Sequence, residues 1–144
     1  MRLKLGYMTR EEELKVLSSV PATSKIAQLE AVVTPEETAA LKASVADVEV
    51  SPEAAGYLMD IVEATRKSDR FTLGVSTRGA LALYHAAQCL AALSGRSFVI
   101  PEDIQSLAPS VLSHRLSASG SVLSDTEAEL KKLLSEIPVP LEKI

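Results

Sequence analysis

In the run Gly74-Val75-Ser76-Thr77-Arg78-Gly79 an arginine follows a helix-capping serine at the head of a long alanine-rich segment. A cation is electrostatically out of place there. The N-terminus of a helix carries roughly half a positive charge and several N–H groups without intrahelical partners, so it favours an anion. Arg78, Ser76 and Thr77 are therefore candidate phosphate-binding residues. A local carboxylate such as Asp69 or Glu63 would satisfy the same guanidinium, and the residues alone leave both readings open.

Other chemical constellations fall short. Gly74 and Gly79 have the spacing of a phosphate-binding P-loop, but Ala80 and Leu81 stand where Lys and Ser/Thr would be needed. Ser76 fails as an elbow nucleophile, because Arg78 replaces the second glycine of that motif and no strand precedes it. His85 and Cys89 are spaced to share one helix face, yet no second pair completes a metal site, and a buried packing pair is the expected reading. His114 and Arg115 close a helix, where cations complement its dipole, and Glu11, Glu12 and Glu13 read as a solvated first turn.

The elements that must position Arg78 are helical. The 144 residues are 47% hydrophobic and 24% charged, enough for a core in one domain. Three Tyr, two Phe and no Trp leave that core to Leu, Val, Ile and Ala, which favours close helix packing and an all-α fold. A net charge of −4 with dispersed basic residues argues against a nucleic-acid footprint, the local cluster Arg66, Lys67 and Arg70 being interrupted by Asp69. The single Cys89 lies in a run that reads as buried and forms no internal disulfide. No stretch has the length of a membrane span and residues 1–7 lack a signal-like apolar run, so a soluble cytoplasmic chain is expected.

Thr9 with Glu12 has capping-box spacing and predicts a helix over 10–18, ended by Pro21. Residues 21–33 read as loop. Thr34-Pro35-Glu36-Glu37 starts a helix to about Ala46, and Ser51-Pro52-Glu53 starts another to about Lys67, with Val48-Glu49-Val50 as a short extended bridge between them. Tyr57, Leu58, Ile61, Val62 and Thr65 draw the core stripe of that helix, while Asp60, Glu63 and Lys67 face away. After a connection over 68–75, Ser76 caps a helix to Ser94 with Gly95 at its C′ position. Being apolar almost all round, that helix is expected to be central and buried. Pro101-Glu102-Asp103 opens a helix to about Ser113 despite Pro109, residues 117–121 read as a Ser/Gly linker, and a last helix runs from about Asp125 to Glu136. Arg2-Leu3-Lys4-Leu5 alternates like a strand without a sheet.

These pieces, taken in order, resemble a known family. From Asp60-Ile61-Val62-Glu63-Ala64-Thr65-Arg66 through Gly74–Ala80, Ala91–Ile104 and Leu112-Ser113-His114-Arg115-Leu116, the chain resembles the C-terminal helical lid of MoxR-type AAA+ ATPases. Leu3–Tyr7 followed by Thr9–Glu13 looks like the junction where that family leaves its ATPase core, which implies residues 1–8 as the core's last strand or linker and 9–144 as the lid. The resemblance implies a small bundle of about five to six helices. It gives Arg78 the part of the sensor-2 arginine that reaches the nucleotide phosphates; Thr77 stands where the family commonly has proline.

The resemblance further implies ATP and Mg in the intact protein, none of it held tightly by this chain alone, since Walker A and Walker B residues are missing. It implies as partners the AAA+ core of the same protein, neighbouring subunits of a ring, and a von Willebrand factor A domain protein. No nucleic acid and no membrane insertion are expected. Chaperone-like remodelling or metal insertion would be the task of the whole. The competing class is a free-standing helical interaction module that binds a protein and no nucleotide.

Overall fold

A computed structural model describes residues 1–19, 28–119 and 125–140. It falls into two units, Leu3–Leu41 on the one hand and Met1–Arg2 with Lys42–Ile144 on the other. The smaller unit holds helix α1 (Arg10–Ser18) and most of helix α2 (Pro35–Val45). Both start as their sequences dictate. Thr9 N–H donates to the Glu12 carboxylate at 2.8 Å while Glu12 N–H returns to Thr9 Oγ1 at 3.4 Å, and Thr34 and Glu37 repeat the exchange at 2.8 and 3.1 Å. Neither helix has a buried residue, so local capping rather than a core defines them. The end expected at Pro21, and most of the loop expected over 21–33, lie outside the described residues.

The larger unit contains the core. Helix α3 (Pro52–Lys67) buries Ala54, Tyr57, Leu58, Ile61, Val62 and Thr65, the stripe that its spacing predicts. Helix α4 (Thr77–Leu93) lies against it and against helix α5 (Pro101–Leu112), which continues as a 3₁₀ turn over Ser113–Arg115. Helix α6 (Thr126–Glu136) closes the group with Leu130, Leu133 and Leu134. Ile61, Leu83, Ile104, Leu112 and Leu130 are fully enclosed, each worth about 1.5–3 kcal/mol of transfer from water. Gly95 ends α4 at φ 72°, where a left-handed residue is required.

Two expectations need correction. Part of the connection over 68–75 and the start of the linker over 117–121 form a ribbon: β1 (Phe71–Leu73) pairs antiparallel with β2 (Ser117–Ala118). Strands of three and two residues are too short to show an alternation, and the buried Phe71 draws them together across the end of the core. The fold remains helical, with this small sheet added. Likewise α4 is not enclosed all round. Its buried residues are Gly79, Ala80, Leu83, Ala87, Gln88 and Ala91, while Leu81, His85, Cys89 and Leu93 are exposed. An apolar side chain permits burial without compelling it, and no described element covers that face.

The far end of α4 is firmly tied. Glu49 and Phe98 form a parallel bridge beside it, realising the extended Val48–Val50 segment, and Gln88 Nε2 donates to Val48 O at 2.8 Å. Arg96 grips the Asp103 carboxylate through both Nη atoms, at 2.8 and 2.7 Å, and Asp103 also accepts Ile100 N–H at 3.0 Å. At the chain start, residues 1–9 carry no strand and are exposed, and Arg2 N–H donates to Ser110 O at 2.7 Å.

Candidate anion-binding site at the start of helix α4

The site is built by a loop clamped against α3. Thr65, fully buried, donates from Oγ1 to Val62 O at 2.7 Å and accepts Val75 N–H at 3.1 Å. Arg66 Nε donates to Val75 O at 2.8 Å, so both polar groups of the Val75 backbone are satisfied by adjacent α3 residues. Gly74 permits the approach. A Cβ there would lie 2.8 Å from Arg66 Cα, a backbone atom that cannot turn aside. Val75, 1% exposed, then plugs the core and hands the chain to the helix cap.

Ser76 is the N-cap, its Oγ accepting Gly79 N–H at 3.3 Å. Thr77 and Arg78 occupy the first turn, which contains no acidic residue, and all three of Ser76, Thr77 and Arg78 are exposed. The structure thus brings the three predicted residues together. The carboxylates that might have neutralised Arg78 do not. Glu63 is held by Lys67 at 2.7 Å, which lowers its pKa through that hydrogen bond, and no described residue makes an ion pair or hydrogen bond to the Arg78 guanidinium.

The remaining arginines differ instructively. Arg70 binds Glu136 through both Nη atoms at 3.0 and 2.7 Å, raising its own pKa and lowering that of Glu136. Arg115 Nε donates to Val111 O at 3.2 Å, the C-terminal capping expected for it. Its Cδ lies 3.5 Å from where a Cβ on Gly79 would be. His114, beside it, has its pKa lowered first by desolvation, then by the terminal amine, Arg115 and Arg2. His85 and Cys89 are a correction: both are exposed, His85 Nδ1 lies 3.1 Å from Gln88 Oε1, and no group of three metal-ligating residues occurs among the described residues. Thr65 is the positioning residue that the sequence pattern hid, because a threonine in an apolar stripe reads as core.

The arrangement offers an anion the N–H groups of a helix start and a guanidinium. No described helix is long and apolar enough to cross a membrane. Over residues 63–133, which hold this helix start, the chain matches the AAA lid domain family.

Proteins named MoxR are among those the chain resembles. The chain is 37% identical over 145 residues to the uncharacterized protein YeaC of Bacillus subtilis strain 168, covering 99% of this chain and 45% of that protein. It is 27% identical over 151 residues to Chaperone MoxR1 of Mycobacterium tuberculosis, covering 96% and 40%, and 33% identical over 107 residues to Protein MoxR of Paracoccus denitrificans, covering 62% and 32%. The crystal structure of a candidate ATPase from Cytophaga hutchinsonii shares the fold with a TM-score of 0.77 at 23% identity, over 95% of this chain and 45% of that one. The chain spans less than half the length of the curated relatives it matches.

Proposed function

We propose that this lid, with residues 1–8 as its junction to a AAA+ core and 9–144 as the lid proper, places Arg78 as the sensor-2 residue over the phosphates of ATP bound by that core. The observation that carries the reading is an exposed arginine in a helix first turn without an acidic neighbour or a described partner. The residues fit the group: a guanidinium and free helix N–H groups complement phosphate charge. Ser76 and Thr77 contribute the cap and the adjoining backbone. Bound ATP with Mg supplies the hydrolysable phosphoanhydride, while this chain supplies positioning and charge stabilisation.

Lid rotation would then couple nucleotide state to the shape of a ring of cytoplasmic subunits. Similarity to Chaperone MoxR1 of Mycobacterium tuberculosis supports a chaperone-like role; client remodelling or metal insertion beside a von Willebrand factor A domain partner is what the resemblance to the MoxR family implies. The test is Arg78→Ala in the full-length protein. Steady-state ATP turnover should fall about 100-fold or more, as when a preorganised charge donor is lost, while the lid keeps its melting temperature. Undiminished turnover would refute the assignment. The purified 144-residue chain itself should not hydrolyse ATP, and reading the DNA upstream of the Met1 codon for an in-frame P-loop separates the lid from a free-standing interaction module.

A further inference from the structure

We infer that Arg115 is a second phosphate-facing guanidinium, held over Gly79 so that it and Arg78 grip one polyphosphate from two sides. The inference rests on the reading of Arg78 given above. Its own support is the placement of a different side chain, from a different element, at the same helix start. Arg115 Cδ lies 3.5 Å from the position of a Cβ on Gly79, which puts it within roughly 9 Å of the Arg78 Cα. That spacing brings the two side chains to the same helix start.

The side chain is restrained in a way that suits this use. Nε is spent on Val111 O at 3.2 Å, and Cδ sits at ordinary van der Waals distance, 3.5 Å, from a Cβ position on Gly79, the tight neighbour there being Val75 Cγ1 at 2.8 Å. That leaves Nη1 and Nη2 with no partner among the described residues. Arg70 and Arg96 behave otherwise, each closing both Nη atoms on a carboxylate. Arg78, Arg115 and Arg66 all keep their Nη atoms without a described partner near the start of α4, and an open fork is the geometry that takes phosphate oxygens bidentately. Arg66 differs in place: its Nε clamps Val75 O and its stem lies against Gly74, whereas that of Arg115 lies against Gly79 in the first turn of α4. No carboxylate is recorded within hydrogen-bond or ion-pair distance of either open fork among the described residues.

Capping of α5 accounts for the Nε bond of Arg115 and leaves its two Nη groups without a described partner. A lysine or histidine would cap equally well by charge, whereas only arginine can cap with one nitrogen and present a fork with the others.

The experiment is a titration of the 144-residue chain with inorganic tripolyphosphate, followed by NMR at the backbone amides and at the arginine Nε–H groups. Saturable shifts are expected at the Arg78 and Gly79 amides and at the Arg115 Nε–H. Arg115→Met, which keeps the stem over Gly79 and removes the fork, should weaken tripolyphosphate binding roughly 5- to 20-fold at unchanged melting temperature, and Arg115→Lys should restore only part of it. Shifts at Arg78 with unaltered affinity in Arg115→Met overturn this inference and leave the assignment of Arg78 standing. No saturable shift at either arginine also overturns this inference, while the assignment of Arg78 is decided by the turnover of Arg78→Ala in the full-length protein. If Arg115→Met lowers the melting temperature, the Arg115 Nε–H shift in the unmodified chain decides the matter.

Discussion

Replacing Gly74 with alanine tests the idea that one close approach sets the whole site. The new Cβ would lie 2.8 Å from both Arg66 Cα and Arg66 Cγ and 3.0 Å from Arg66 N. Carbon atoms prefer about 3.5–4.0 Å, so the loop must withdraw by roughly 0.7–1 Å; Cγ can rotate away, but Cα and N cannot. Withdrawal stretches the Val75 N–H contact to Thr65 Oγ1 at 3.1 Å and the Arg66 Nε contact to Val75 O at 2.8 Å. Overpacking costs about 1–3 kcal/mol and each weakened hydrogen bond up to about 1 kcal/mol, against a gain of about 0.4–1 kcal/mol from a less flexible unfolded chain. The net is a loss of about 1–3 kcal/mol, or a melting temperature lower by roughly 3–10 °C. Urea unfolding followed by circular dichroism measures it. Gly56→Ala is the control, since nothing lies within 4 Å of a Cβ there and the residue sits inside α3; it should stabilise by about 0.5–1 kcal/mol. A Gly74→Ala protein within 0.5 kcal/mol of the parent, roughly the scatter of a neutral surface change, would refute the reasoning.

Asp103→Ala should destabilise by about 2–3 kcal/mol in the same assay, because it strips two Nη partners from Arg96 and the acceptor from Ile100 N–H at a carboxylate only 5% exposed; a loss under about 1 kcal/mol would show the pair to be dispensable. The folded pKa of His114 lies below its ordinary value near 6.5, so the native state binds fewer protons than the unfolded one as pH falls through that value. Its contribution to stability is therefore lost on acidification from about pH 7, levelling off below the folded pKa, and His114→Gln should flatten that portion of the stability profile measured by urea unfolding.

Much of the fold is local in origin, which is why it could be read. Thr9, Thr34, Ser51 and Ser76 each precede a helix by the reach of one hydroxyl, and each helix begins at the next residue. The stripe from Tyr57 to Thr65 is a periodicity within one helix, and Gly95 is demanded by one φ value. What escaped depends on pairs remote in the chain. The ribbon joins Phe71 to Ala118, and neither short strand has a pattern of its own. Exposure of Cys89 depends on what lies opposite α4, which no spacing within the helix specifies. Arg78 was legible because a cation at a helix start is anomalous by itself, whereas Arg115 made ordinary sense as a cap until its stem was seen to cross Gly79. Thr65 shows the same limit from the other side: its hydroxyl does its work toward a residue ten positions away.

Cys89 is the single thiol of the sequence, and it is exposed on α4. Eleven residues separate it from Arg78 on the same helix, close to three full turns, so the two project in nearly the same direction about 16 Å apart along the axis. A fluorophore or spin label attached there would look out from the same side of the helix as the arginine without touching its cap. The chain thus carries its own optical ruler: approach of any body to the arginine's side of α4 would register at the label as quenching, broadening or a shorter measured distance, with no engineered cysteine required.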